Sequence, residues 1–202
     1  FLLSERNKID FGIIESCFGM PCFIKPANLG SSVGITKVHD FEEFEAGIEE
    51  AFRYDRKILI EECVNGREIE CAVLGNNYPE ASGLGEIRIA HDFYSYKAKY
   101  IDENEATLEI PAILSTEITE KIRTIAVEVH QVLSCEGMSR VDFFLRENGE
   151  ILVNELNTIP GFTQISMFPK LWEASGISYR ELIHRLIQLA LERFEEEKLL
   201  ET

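Results

Sequence analysis

A chain of 202 residues exceeds one ordinary domain and falls short of two, so one large or two small lobes are expected. Hydrophobic residues make up 45%, charged residues 28% and aromatics 10%, a globular balance that excludes disordered, collagen-like and low-complexity chains. Lys and Arg number 20 against 36 Asp and Glu, and the net charge of −16 argues against nucleic-acid and anionic-membrane partners, which need a basic footprint.

No run approaches the roughly 18 apolar residues of a bilayer span, and no basic-then-apolar leader opens the chain. A soluble, unexported protein is expected. The cysteines Cys17, Cys22, Cys63, Cys71 and Cys135 are odd in number and form no C-x-x-C pair, which points to a reducing cytoplasm and buried thiols. The chain opens on Phe1 rather than Met, as part of a longer polypeptide would.

Ile9, Ile13, Ile14 and Phe18 are spaced for a short helix that Gly19-Met20-Pro21 ends. Cys22 to Lys25 reads as a strand, followed by a loop from Pro26 to Gly34 and a strand from Ile35 to Val38. Asp40 caps a helix with Phe41, Phe44, Ile48 and Phe52 on one face. Two β runs follow, Lys57 to Glu62 and Glu68 to Leu74, the second turning at Gly75-Asn76-Asn77 into a strand toward Ile89. This order suits an α/β or α+β class. From Ala90 to Thr107 no long apolar period appears, but Phe93, Tyr94, Tyr96, Lys97, Lys99 and Tyr100 crowd together; such a loop is either a lid or plain surface. A helix is expected from Thr116 to Leu133, then a hairpin from Met138 to Leu156. Beyond it come a loop at Pro160-Gly161, a short helix near Leu171 and an amphipathic helix carrying Leu182, Ile183, Leu186, Ile187, Ala190 and Phe194.

The hairpin turn Glu147-Asn148-Gly149-Glu150 holds the Asn-Gly pair favoured in two-residue loops. With Asn148 and Gly149 as the loop, paired positions sum to 297, setting Asp142 opposite Glu155 and Arg140 opposite Asn157 on one face. Val141, Phe143, Leu152 and Leu156 then form an apolar face behind them. Opposed carboxylates repel unless a cation or proton intervenes. Two carboxylates and an amide suit a hard ion such as Mg²⁺, with Arg140 free to meet a phosphate or oxyanion. The competing interpretation is a surface ladder in which Arg140 merely pairs with the acids; the packed sheet behind it favours the site.

Lys25, at a strand end, precedes the loop Pro26 to Gly34, which reads equally as a turn or as a phosphate cradle. It is not a Walker A loop, because the lysine precedes the glycines. Ile58 to Val64 with Glu68 reads as an edge for adenine and ribose or, taken alone, as an edge strand with solvated acids. His39, His91, His130 and His184 have no metal spacing, and His130 and His184 fall within helical patterns.

Taken together and in order, Phe23-Ile24-Lys25-Pro26 with Gly30 to Gly34, Ile60-Glu61-Glu62 with Glu68, Tyr94 to Tyr100, Ser139-Arg140-Val141-Asp142 and Asn154 to Thr163 resemble the D-alanine:D-alanine ligase family of ATP-grasp ligases. The resemblance covers nearly the whole chain. It implies an ATP-grasp fold, two α+β subdomains clasping ATP between them: a partial central subdomain over 1–62 and a C-terminal subdomain over 63–202 with a lid at about 90–107. The family's N-terminal lobe has no counterpart here, so the isolated chain is expected to bind nucleotide weakly and to ligate poorly.

The resemblance further implies that Lys25 and Lys99 hold ATP phosphates and that Glu61, with the backbone near Cys63 and Val64, takes the adenine. Glu68 would take the ribose, and Asp142, Glu155 and Asn157 would hold two Mg²⁺ ions, with Mn²⁺ as a substitute. Two D-alanines would be joined through an acyl phosphate for peptidoglycan precursors in the bacterial cytoplasm. Ser31 would lie near the first D-alanine, Arg140 would stabilise the tetrahedral intermediate, and Ser166 and Met167 would meet the second D-alanine's carboxylate. Tyr100 resembles enzymes that accept D-alanine rather than D-lactate, with D-serine less well excluded. A homodimer is implied for the full-length enzyme. The alternatives are a non-catalytic nucleotide-sensing module and an ATP-grasp ligase with another carboxylate and amine.

Overall fold

The computed structural model describes residues 1–30, 32–89 and 106–200. The expected lid, apart from Ala106 and Thr107 at its end, lies outside the described residues, as do Ser31, Lys99 and Tyr100. The chain divides into two compact units at Val64/Asn65, the second including Asn65–Arg88 and Thr107–Thr202. Among the described residues no helix is long and apolar enough to cross a membrane.

The first unit opens with a 3-10 helix, Leu3–Lys8, and then α1, Phe11–Phe18, whose N-terminus is capped by Asp10 accepting from Ile13 N. Gly19 ends α1 with φ +72°, as the Gly-Met-Pro signal predicts. Strands β1 (Cys22–Pro26), β2 (Thr36–Val38) and β3 (Ile58–Glu62) form an antiparallel sheet in the order β2-β1-β3. Helix α2, Phe41–Tyr54, starts at Asp40, whose carboxylate accepts from Glu43 N at 2.9 Å. It buries Phe44, Ile48 and Ala51 against Cys22, Ile24, Val38 and Ile58. Burying each large apolar side chain contributes roughly 1.5–3 kcal/mol before entropy is counted. Gly34 closes the loop after β1 at φ +72°, and a Cβ there would lie 2.7 Å from the Tyr54 ring and 2.9 Å from Pro26, so only glycine fits.

The second unit is a five-stranded sheet in the order β6-β5-β4-β7-β8, where β4 is Arg67–Leu74, β5 Glu80–Ile89, β6 Ala106–Glu109, β7 Met138–Leu145 and β8 Ile151–Asn157. Helix α3, Thr116–Val132, starts at a Ser115 cap and packs Ile122 and Ala126 onto Ile69, Cys71, Val73, Val141 and Phe143. Helices α4 (Met167–Ala174) and α5 (Tyr179–Glu197) pack a second cluster, with Phe168, Leu171, Trp172 and Leu182 against Ala72 and Leu74. Only part of the expected apolar face of α5 turns inward: Leu182 is buried and Leu186 packs beside it, whereas Ile183, Ile187 and Phe194 are exposed. The apolar arc of this helix is wider than the surface it packs on.

The hairpin differs from expectation at its tip. Phe143 faces Val153, Phe144 faces Leu152 and Leu145 faces Ile151, so pairs near the turn sum to 296. Arg146 N donates to Glu150 O at 2.9 Å and Gly149 N to Arg146 O at 2.9 Å, closing a three-residue loop rather than the expected two-residue one. Gly149 adopts φ +83°, the left-handed turn conformation such loops need. A β-bulge beside Asp142 and Phe143 then leaves Asn154 as an extra residue in β8 and restores the sum to 297. Asp142 therefore faces Glu155 and Arg140 faces Asn157, because two opposite shifts cancel. Leu152, expected on the apolar face, pairs with Phe144 on the other side, and Ile151 packs into the core instead.

All five cysteines are free thiols, but only Cys22 and Cys71 are buried; Cys17 is exposed, and Cys63 and Cys135 are half-buried, against the expectation for all five. Burial pushes the Cys71 thiol up to about 12. His130 is a core histidine: Nδ1 lies 2.8 Å from Ser139 Oγ and Nε2 lies 3.2 Å from the Gly75 carbonyl oxygen. Its burial lowers its pKa, opposed by the Gly75 hydrogen bond.

Candidate active site

Successive residues of a strand point to opposite sides, so the neighbours of the apolar set on β4 and β7 form the opposite face of the sheet. There Glu70 faces Asp142 and Ala72 faces Arg140 across the two strands. Asn157 and Glu155 on β8 complete the row beside Arg140 and Asp142. Farther along this face Ala72 and Leu74 lie under α4 and α5. Local alternation thus supplies the donors, and antiparallel pairing of three strands brings them together.

Arg140 holds Asp142 with two parallel hydrogen bonds, Nε to Oδ1 and Nη2 to Oδ2, each 2.7 Å. Its Nε also lies 3.0 Å from Glu70 Oε2. The side chains are enclosed: Arg140 is 17% exposed, Asp142 14% and Glu70 6%. Burial by itself would lower the guanidinium pKa, but the Asp142 hydrogen bonds and the charges of Asp142, Glu70 and Glu155 raise it well above its ordinary value. Arg140 is therefore a fixed cation among three carboxylates. Asn157 Nδ2 donates to Asp142 Oδ2 at 3.0 Å and to Glu155 Oε1 at 3.3 Å, so the amide bridges the two opposed acids.

In the first unit, Lys25 at the end of β1 pairs with Glu61 on β3, Nζ to Oε2 at 2.7 Å, with Lys25 mostly enclosed. Phe23 faces Glu61 and Lys25 faces Leu59, which puts both charged side chains on one face of the sheet. Cys63 and Val64, half-buried, follow β3 directly. Each unit thus gathers its own subset of the expected site residues.

Glu68 lies on β4 between Ile87 and Phe144 and shares a face with Glu70. Ser166 precedes α4 and turns its hydroxyl toward the loop, accepting from Thr163 N at 3.1 Å and lying 2.8 Å from Thr163 Oγ1. Met167 is buried in the cluster of α4 and α5, so its side chain belongs to the core. Glu70 escaped the sequence reasoning. The alternation Glu68-Ile69-Glu70-Cys71 was its available signal, but its position opposite Asp142 depends on β4 lying beside β7, a contact between distant segments.

Comparison with known proteins agrees with this architecture. The family described as "D-ala D-ala ligase C-terminus" matches residues 4–188. The D-alanine--D-alanine ligase of Shouchella clausii is 56% identical over the whole of this chain, which covers 55% of that protein. The crystal structure of VanG D-Ala:D-Ser ligase from Enterococcus faecalis matches with TM-score 0.84 and 38% identity, over 94% of this chain and 55% of that one. A D-alanine--D-alanine ligase from Bacillus anthracis complexed with ATP matches with TM-score 0.76 and 30% identity, over 94% of this chain and 59% of that one. The chain spans about half the length of the curated relatives it matches. Its two antiparallel α+β units have the ATP-grasp fold, and the chain belongs to the D-ala D-ala ligase C-terminus family.

Proposed function

We propose that this chain supplies the ATP and metal site of an ATP-dependent, ADP-forming ligase that joins two D-alanines through an acyl phosphate, for peptidoglycan precursors in the bacterial cytoplasm. The observation that carries this proposal is the cluster in which Arg140, Asp142, Glu155 and Asn157 meet on one face of the sheet. Family membership and the ATP complex of the Bacillus anthracis relative support it.

The donor chemistry fits Mg²⁺ or Mn²⁺. Asp142 and Glu155 with the Asn157 amide offer the oxygen ligands that a hard divalent ion takes. Asn157 now turns its NH₂ to both acids; a half-turn of the amide presents Oδ1 instead, without moving the chain. Asp142, Glu155 and Asn157 would hold two ions, which neutralise charge on the ATP phosphates. Lys25 would meet phosphate with Lys99, and Glu61 would meet adenine with the backbone at Cys63 and Val64. Nucleotide binding therefore exchanges the present Lys25–Glu61 pair for contacts to ATP. Glu68 would hold the ribose, and Ser31 would border the first D-alanine.

Arg140 faces the negative charge that develops as the amine attacks the acyl phosphate, acting as a fixed cation rather than a proton donor. Ser166 would meet the second D-alanine's carboxylate through its hydroxyl, and Met167, whose side chain is buried, through its backbone N–H. Tyr100 would set acceptor choice. The full-length enzyme would be a homodimer. The D-Ala:D-Ser activity named for the Enterococcus faecalis relative supports a second assignment, D-serine as the acceptor.

The test is phosphate release from Mg²⁺-ATP by the full-length polypeptide carrying this chain, with D-alanine, L-alanine, D-serine and D-lactate compared and the product identified by mass. Release that needs D-alanine and yields D-alanyl-D-alanine is expected, and Asp142→Asn abolishes it. Nucleotide binding without release in any mixture would refute the ligase assignment.

A further inference from the structure

Arg140 presents a difficulty that the ligase assignment leaves open. Its guanidinium engages both oxygens of Asp142 at 2.7 Å. A divalent cation held by Asp142 needs the same oxygens, and it repels the guanidinium beside them. Arg140 is nearly enclosed, so it cannot retire to solvent when Asp142 turns away. It needs a second anion within reach.

Glu70 meets this need. It is the cross-strand partner of Asp142 on β4, so its backbone is fixed by the sheet. Its Oε2 lies 3.0 Å from the Arg140 Nε that Asp142 Oδ1 also engages. The Glu70 side chain is 6% exposed, and a carboxylate so buried is costly unless paired. The Arg140 contact offsets part of that cost and does not depend on Asp142.

From this geometry, and resting on the metal assignment above, we infer that Glu70 is a positioning residue. It retains the Arg140 guanidinium on the sheet face when Asp142 turns its oxygens to a divalent cation. Cation binding and Arg140 orientation are thereby coupled: Asp142 hands the guanidinium to Glu70 and becomes available as a ligand. Without Glu70, Arg140 would keep its hold on Asp142 and compete with the cation.

The experiment uses the full-length polypeptide with saturating ADP, Mn²⁺ binding read by electron paramagnetic resonance, and steady-state kinetics alongside. Glu70→Gln removes the charge; Glu70→Asp keeps it but shortens the reach to Nε by one methylene. Both are expected to weaken Mn²⁺ binding and lower kcat, roughly 10–100-fold as for groups that orient metal ligands, while KM for ATP moves far less. Wild-type Mn²⁺ affinity in Glu70→Gln would overturn the inference. So would wild-type behaviour of Glu70→Asp, since charge alone would then suffice. Should Glu70→Gln fail to fold, Glu70→Asp decides. No Mn²⁺ binding by the wild type, or unaltered binding by Asp142→Asn, would remove the metal assignment itself, a failure distinguishable from one confined to Glu70.

Discussion

On β4 and β7, Ile69, Cys71, Val73, Val141 and Phe143 pack beneath α3, while Glu70, Arg140 and Asp142 occupy the other side of the same two strands. The apolar side is held by additive, non-directional burial, and each side chain contributes whatever its neighbour does. The charged side is held by a mutual arrangement: the Arg140 guanidinium contacts both Glu70 and Asp142, so each group offsets part of the cost of burying the others. One pleated sheet can thus carry the stability on one face and a charged constellation on the other, since a period of two separates their residues.

Four measurements probe that division. The largest effect is expected on the apolar side, where Phe143→Ala removes a fully buried ring and costs about 3–5 kcal/mol in urea unfolding. A loss below about 1 kcal/mol would mean the core is not where stability resides. On the charged side, Arg140→Lys keeps the charge but loses the fork that grips Asp142, and under the proposed ligase function the kcat of the full-length polypeptide is expected to fall on the order of 10²–10³-fold. Unchanged kcat would reduce Arg140 to a structural partner.

The division has an exception, because His130 and Ser139 form a polar pair on the α3 side. Burial depresses the His130 pKa, so the unfolded chain takes up a proton first as pH falls. Stability contributed by the neutral ring is complete above the unfolded value of about 6.5 and is lost as pH falls from there through the depressed folded value, by at most about 1.4 kcal/mol per pH unit. His130→Gln should flatten that slope in denaturation curves taken between pH 7 and 5; an unchanged slope would assign it to other groups. The smallest effect is expected at the hairpin tip, where Glu150→Ala loses an exposed ion pair with Arg146 and should shift stability by less than about 0.5 kcal/mol.

Much of this was legible along the chain. Asp40 caps α2 as its position predicts, because capping needs only residues three apart, and the structure shows Asp10, Ser115 and Ser178 capping their helices by the same local geometry. Arg140, Asp142, Glu155 and Asn157 could be gathered onto one face from a turn signal and strand parity alone. That success was partly fortunate: Gly149 closes a three-residue loop, and Asn154 restores the pairing by a bulge that no local signal announced. The same bulge explains why Leu152 and Ile151 exchange faces relative to the simple hairpin.

The sequence by itself determined the helices and their ends, the acidic surface, the strand faces and the kinds of donors available, since each depends on residues a few positions apart. Tertiary structure alone decided that Glu70 stands against Asp142 and Arg140, that Lys25 meets Glu61, and that His130 is sealed between Ser139 and Gly75. Those contacts join segments far apart in the chain, and which strands become neighbours is settled by packing whole faces against one another rather than by any local preference.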